Sequence, residues 1–141
     1  MTLTLQTARA IVDAALDYRK TAKMKPITIA VLDAGGHTKL LLREDGTSTL
    51  RPKVAHGKAH GAIALGLGSR KIFERAKEQP YFVDAVNTLA GGALVPAPGG
   101  VLIRDGGEII GAVGITGDSS DNDESCAVSA IEASGFEADP G

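Results

Sequence analysis

Ile27-Thr28-Ile29-Ala30-Val31-Leu32-Asp33-Ala34-Gly35-Gly36-His37-Thr38-Lys39-Leu40-Leu41-Leu42-Arg43 is the stretch that decides the fold. Its first six residues are mostly apolar and rich in β-branched side chains, the run 27–33 lies between Pro26 and the Gly35-Gly36 pair, and together these predict a strand over 27–33. Gly35-Gly36 can take the positive φ angles of a tight hairpin turn, with His37 on the turn and 38–43 returning as the partner strand. The device recurs downstream as a strand over 101–104, an Asp105-Gly106-Gly107 turn and a strand over 108–115. Hairpins join antiparallel neighbours, so both units call for an antiparallel sheet.

Helical patterns surround the hairpins. Over 7–24, Ala8, Ile11, Val12, Ala15 and Leu16 recur at spacings of three and four, opposite Arg9, Asp13, Asp17 and Lys20. Thr4 or Thr7 can cap this helix and Pro26 stops it. A second helix is expected to start near Pro52, two short ones to cover 70–78 and 81–89, and a last one 121–134. Residues 90–100 read as a Gly/Pro-rich connector holding a brief strand, and 137 onward as a tail. The order helix, hairpin, helices, hairpin, helix predicts an α+β fold with a single antiparallel sheet flanked by helices.

At 141 residues the chain is expected to form one domain over 1–141. With 18 glycines, 4 % aromatics and no Trp, the core must be built from Ala, Val, Ile and Leu packed over close backbone approaches. A net charge of −2 without a basic stripe gives no reason to expect nucleic acid. One cysteine excludes an internal disulfide framework. No basic segment followed by an apolar one opens the chain, and no apolar run approaches a membrane span, so a cytoplasmic protein is expected.

Chemistry concentrates in Ala55-His56-Gly57-Lys58-Ala59-His60-Gly61-Ala62-Ile63-Ala64. On a helix His56 and His60 project from one face on successive turns, and Lys58 points roughly the other way. The remaining residues except Ile63 are Ala or Gly, which would admit a bulky group close to the backbone. A zinc-protease motif needs a Glu after the first His, and here Gly57 follows. A closed zinc site would have to recruit His37 and Cys126, which are remote in sequence. One imidazole can instead serve haem iron, which asks for a single nitrogen and an apolar, roomy pocket; both rings can equally be structural.

The run Asp118-Ser119-Ser120-Asp121-Asn122-Asp123-Glu124 lacks the order of a calcium loop. It reads as a helix start capped by Ser120 or Asp121, with Asp123 and Glu124 complementing the helix dipole. Gly111, Gly114 and Gly117 do not form a dinucleotide fingerprint, and let a helix or a neighbouring subunit approach the sheet. Cys126, beside acidic neighbours, reads as core. Arg43 and Asp45 either present themselves to a ligand or form an ion pair across their own turn.

Several of these stretches resemble one family: 31–37 (Val-Leu-Asp-Ala-Gly-Gly-His), Arg43-Glu44-Asp45-Gly46, Gly57-Lys58-Ala59, Pro98-Gly99-Gly100-Val101, 110–117 (Ile-Gly-Ala-Val-Gly-Ile-Thr-Gly) and Asp123-Glu124. In this order they are similar to the GlcG/HbpS family, which includes the C-terminal domain of PduO-type corrinoid adenosyltransferases. The resemblance covers nearly the whole chain. It implies about five antiparallel strands in a profilin-like α/β/α arrangement, and homo-oligomers from dimers to octamers. It also implies haem binding, with storage, sensing or slow degradation of haem as the role, in some members alongside a catabolic operon. The family's Lys-Ala helix corresponds to Lys58-Ala59 here, flanked by His56 and His60. The cofactor-binding candidates are therefore His60, His56, Lys58 and Arg43, with no metal beyond haem iron. A second reading is a small enzyme or accessory protein acting on an organic acid. Arg43 and Lys58 would then hold a carboxylate, with Asp45 or His60 as base.

Overall fold

The computed structural model describes residues 2–141. Their elements run α1 (Leu5–Thr21), β1 (Thr28–Asp33), β2 (Thr38–Arg43), α2 (Arg51–Leu65), α3 (Ser69–Glu78), α4 (Pro80–Leu89), β3 (Gly100–Asp105), β4 (Glu108–Thr116), α5 (Ser120–Ala133) and β5 (Glu137–Asp139). The five strands form one antiparallel sheet in the order β2-β1-β4-β3-β5. The two hairpins are joined through β1 and β4, whose register runs from Thr28↔Thr116 to Asp33↔Gly111.

Strand alternation divides the core into two layers. Ile29, Val31, Val101, Ile103, Val113 and Ile115 pack with α1 and α5, through Ile11, Ala15, Ala127 and Ile131. Leu32, Leu102 and Ala112 face the other way, against Ala59 and Ala62 of α2. This second layer is thin because α2 lies almost on the sheet. Ala30, Gly114 and Gly100 are register neighbours across β1, β4 and β3. A methyl group on Gly114 would collide with the Ala55 carbonyl, and one on Gly100 with the Lys58 carbonyl. The close approach expected of Gly114 is thus made by a helix of the same chain.

Some expectations shift. Thr4 is the cap of α1, its side chain accepting from Thr7 N, and the helix ends at Thr21, before Lys23 takes a φ of 56°. Ser119, not Ser120 or Asp121, caps α5 by accepting from Asn122 N. The connector contains no strand before Gly100. The expected tail is corrected most: residues 137–139 form the edge strand β5 on β3, where Arg104 Nε donates to Asp139 Oδ2 at 2.9 Å. Three residues are too few for strand periodicity to reveal. No helix among the described residues is long and apolar enough to cross a membrane.

Candidate functional site

Helix α2 is gripped on two sides. Ala55, Lys58, Ala59 and Ala62 form a buried stripe at helical spacing, directed into the fold. Gly57 and Gly61 are covered by the connector: a Cβ on Gly57 would lie 2.6 Å from Val95 Cγ2, and one on Gly61 2.9 Å from Leu94 Cγ. Val95 N donates to Gly57 O at 3.1 Å, laying the connector directly on the helix backbone. The bulky group admitted by the Ala/Gly pattern is therefore the chain itself.

His56 and His60 are brought together. Their rings stack with centroids 5.3 Å apart and planes 20° from parallel. His60 Nδ1 lies 2.8 Å from Ala93 O, and a carbonyl only accepts, so Nδ1 is the donor in this contact. The edge of this ring is close to the β1–β2 turn, since a Cβ on Gly36 would sit 3.3 Å from its Cδ2. His56 instead lines an open cleft of about 380 Å³, with Leu41 of β2, Pro52 and Lys53 of α2, and the turn Gly91-Gly92-Ala93. Burial, helped by the neighbouring His60, pushes the His56 pKa below its ordinary value of 6.5, which favours the neutral ring. Gly91 and Gly92 have φ angles of 67° and 85°, and nothing lies within 4 Å of a Cβ built on either. They contribute bare backbone to the cleft lining.

The other candidates do not join this cleft. Lys58 is 3 % exposed, and its Nζ donates to Ile115 O at 3.0 Å and to Asp123 Oδ2 at 3.4 Å. Asp123, 1 % exposed, also accepts from Asp118 N at 3.0 Å through Oδ1. It sits in the first turn of α5, as expected of a dipole complement, and is in addition the buried partner of Lys58. Burial pushes the Lys58 pKa down and the Asp123 pKa up, each against the pull of its partner. Arg43 forms no ion pair with Asp45 among the described residues; it is exposed, and its Nη1 donates to the Thr47 carbonyl at 3.0 Å. Asp45 is exposed on the loop after β2, and no hydrogen bond or ion pair among the described residues connects it or Arg43 to the histidines. His37 is exposed beside Asp33, its Nδ1 3.4 Å from Oδ1. Cys126 is buried, and burial pushes its thiol up to about 12.

Comparison with known proteins places this architecture. The family described as "Haem degrading protein HbpS-like" matches residues 3–132. A 15.0 kDa protein encoded in the dhaT–dhaS intergenic region of Citrobacter freundii is 26 % identical over 133 residues, which cover 93 % of this chain and 91 % of that protein. The crystal structure of a PduOC:heme complex superposes with a TM-score of 0.86 at 23 % identity, covering 96 % of this chain and 97 % of that one. The Klebsiella pneumoniae protein ORFY also gives a TM-score of 0.86, at 24 % identity over 95 % of this chain and 91 % of its own.

Proposed function

The chain belongs to the HbpS-like haem-degrading family, and on that premise we propose that it binds haem in the cleft between β2, the first turns of α2 and the 91–93 turn. The observation that carries this reading is a half-buried imidazole, His56, lining a cleft together with the unobstructed backbone of Gly91 and Gly92. A flat macrocycle needs that combination of one nitrogen donor and an unobstructed surface.

The residues present fit the group. His56, held neutral by its surroundings, offers its lone pair to iron. His60 backs it by stacking, and is itself fixed by Ala93 O. Leu41 and Pro52 supply apolar contact, and Lys53 at the cleft's edge supplies a cation for a propionate. When bound, haem would supply an iron centre that an imidazole nitrogen such as that of His56 can ligate. Storage, sensing and slow degradation of haem all begin with this binding step. Lys58 serves the fold beneath the site, because its charge is spent on Asp123.

Leu41, which lines the cleft, is 46 % exposed. Leu50 and Leu89, 60 % and 86 % exposed, flank the lining segments in sequence. A second copy of the chain would cover such an apolar rim, which supports a homo-oligomer. The test is a hemin titration followed at the Soret band. The wild type is expected to give a saturable shift. His56→Ala should lose it, His60→Ala should weaken it by loosening the stack, and Lys53→Ala should weaken it by no more than ~1 kcal/mol. A His56→Ala spectrum identical to wild type would remove His56 from the site.

A further inference from the structure

Four arginines of the described chain are half-buried: Arg19, Arg51, Arg70 and Arg104. Three of them meet carboxylates. Arg19 Nε lies 3.1 Å from Glu44 Oε1, Arg70 holds Glu124 and Asp121, and Arg104 Nε lies 2.9 Å from Asp139 Oδ2. Arg51 makes no ion pair among the described residues. Its one side-chain hydrogen bond runs to a neutral hydroxyl, Nη1 donating to Thr116 Oγ1 at 2.7 Å. That bond pins the guanidinium at the end of β4 and leaves most of its donor fork unused. A partly desolvated guanidinium without a counter-anion is an energetic deficit that an arriving anion would make good.

Arg51 lines a polar cleft of about 270 Å³ together with Lys25, Pro26, Gly46, Thr47, Ser48 and Gly117. This cleft shares no lining residue with the one that holds His56. Lys25 brings a second cation whose ammonium makes no ion pair among the described residues, and the Ser48 hydroxyl makes no hydrogen bond there. Asp118 borders the cleft through Lys25, accepting from Lys25 N at 2.8 Å, Ser119 N at 2.7 Å and Asn122 Nδ2 at 2.8 Å. Those donors hold its pKa down at about 2, so it stays ionised. The charged residues lining the cleft, Lys25 and Arg51, are both cations, which suits a small anion. Pro26 and Gly117 offer uncharged surface beside the cations.

We propose that this cleft binds a short-chain monocarboxylate, its carboxylate on the free side of the Arg51 fork and near Lys25, its hydrocarbon against Pro26 and Gly117. Arginine presents paired N–H groups that match the two carboxylate oxygens. The occupant makes few contacts beyond that pair, so millimolar affinity is the scale to test. The site stands independently of haem, because it uses none of the residues assigned to the haem cleft.

The experiment is a titration of the whole protein with sodium propionate, followed by amide and arginine Nε–H correlation spectra, with inorganic phosphate and sodium chloride as parallel arms. Saturable shifts are expected at Gly46, Ser48, Gly117 and the Arg51 Nε–H with propionate. Chloride should leave them unmoved, and phosphate should bind more weakly. Arg51→Met should weaken propionate binding by ~10-fold or more, as loss of a bidentate charge-assisted contact does. Lys25→Met should weaken it by roughly 3-fold, in line with an exposed charge. Should Arg51→Met fail to fold, Arg51→Lys takes its place, since it keeps the charge and removes the fork, and a clear loss of affinity is again expected. The proposal is overturned by the absence of saturable shifts up to roughly 50 mM, well above a millimolar Kd. Unchanged affinity in the Arg51 variant, or tighter binding of phosphate than of propionate, overturns it equally.

Discussion

Replacing Lys58 with Met tests how the two sides of the sheet are tied together. Lys58 belongs to α2 and Asp123 to the first turn of α5, and they meet at 3.4 Å with exposures of 3 % and 1 %. Met fills most of the lysine volume, so little cavity forms and the main loss is the partner of a buried carboxylate. Removing one member of a buried pair typically costs ~3–5 kcal/mol. Asp123 keeps its bond from Asp118 N, which places the expectation near the lower end, ~3 kcal/mol. With a urea m-value of ~2 kcal/mol/M, the unfolding midpoint should fall by roughly 1.5 M. The dependence on pH is the sharper readout. Without Lys58, burial is left to raise the Asp123 pKa in the folded state above its ordinary 3.8. The folded protein then takes up a proton more readily than the unfolded chain, so the variant loses stability as pH rises above 3.8 and the defect is largest at neutral pH. Urea melts at acid and neutral pH should show this widening gap, and adding Asp123→Asn to the variant should close it. A loss below ~1 kcal/mol at neutral pH, or a loss independent of pH, would refute the idea that an uncompensated carboxylate is responsible.

Other consequences can be measured on the same material. Gly114→Ala pushes a methyl into the Ala55 carbonyl and must lift α2 from the sheet, so thermal melts should register a loss of ~1–3 kcal/mol, typical of overpacking. Cys126, its thiol pushed up to about 12, should resist a thiol-specific reagent in the native state and react promptly once urea unfolds the chain. Because folding lowers the His56 pKa below 6.5, the stability it contributes is complete above 6.5 and is lost as pH falls through the folded value. A His56→Gln variant should therefore show a shallower fall in stability on mild acidification, and a slope equal to wild type would contradict the assignment.

The hairpins were legible because their signals are local: a β-branched run, a Gly-containing turn and a return strand lie within 17 residues from Ile27 to Arg43. Their order in the sheet was not, since β1 meets β4 across most of the chain and nothing in either strand names its partner. The histidine pair was legible for the same local reason, helical spacing, and its stacking follows from that spacing alone. What covers the glycines beside it was not, because Leu94 and Val95 arrive from a connector without periodicity. Lys58 did carry a signal that went unused. Ala55, Ala59 and Ala62 mark an inward stripe, and Lys58 falls on it three residues after Ala55, so a helix packed by that stripe must bury the lysine. A buried lysine requires an acid, and Asp123, deep in an acidic run whose other members suffice to cap and charge the helix start, was the residue in surplus. The same arithmetic of charge, applied to the cations instead, singles out Arg51 once burial is known: a half-buried guanidinium that meets no carboxylate among the described residues.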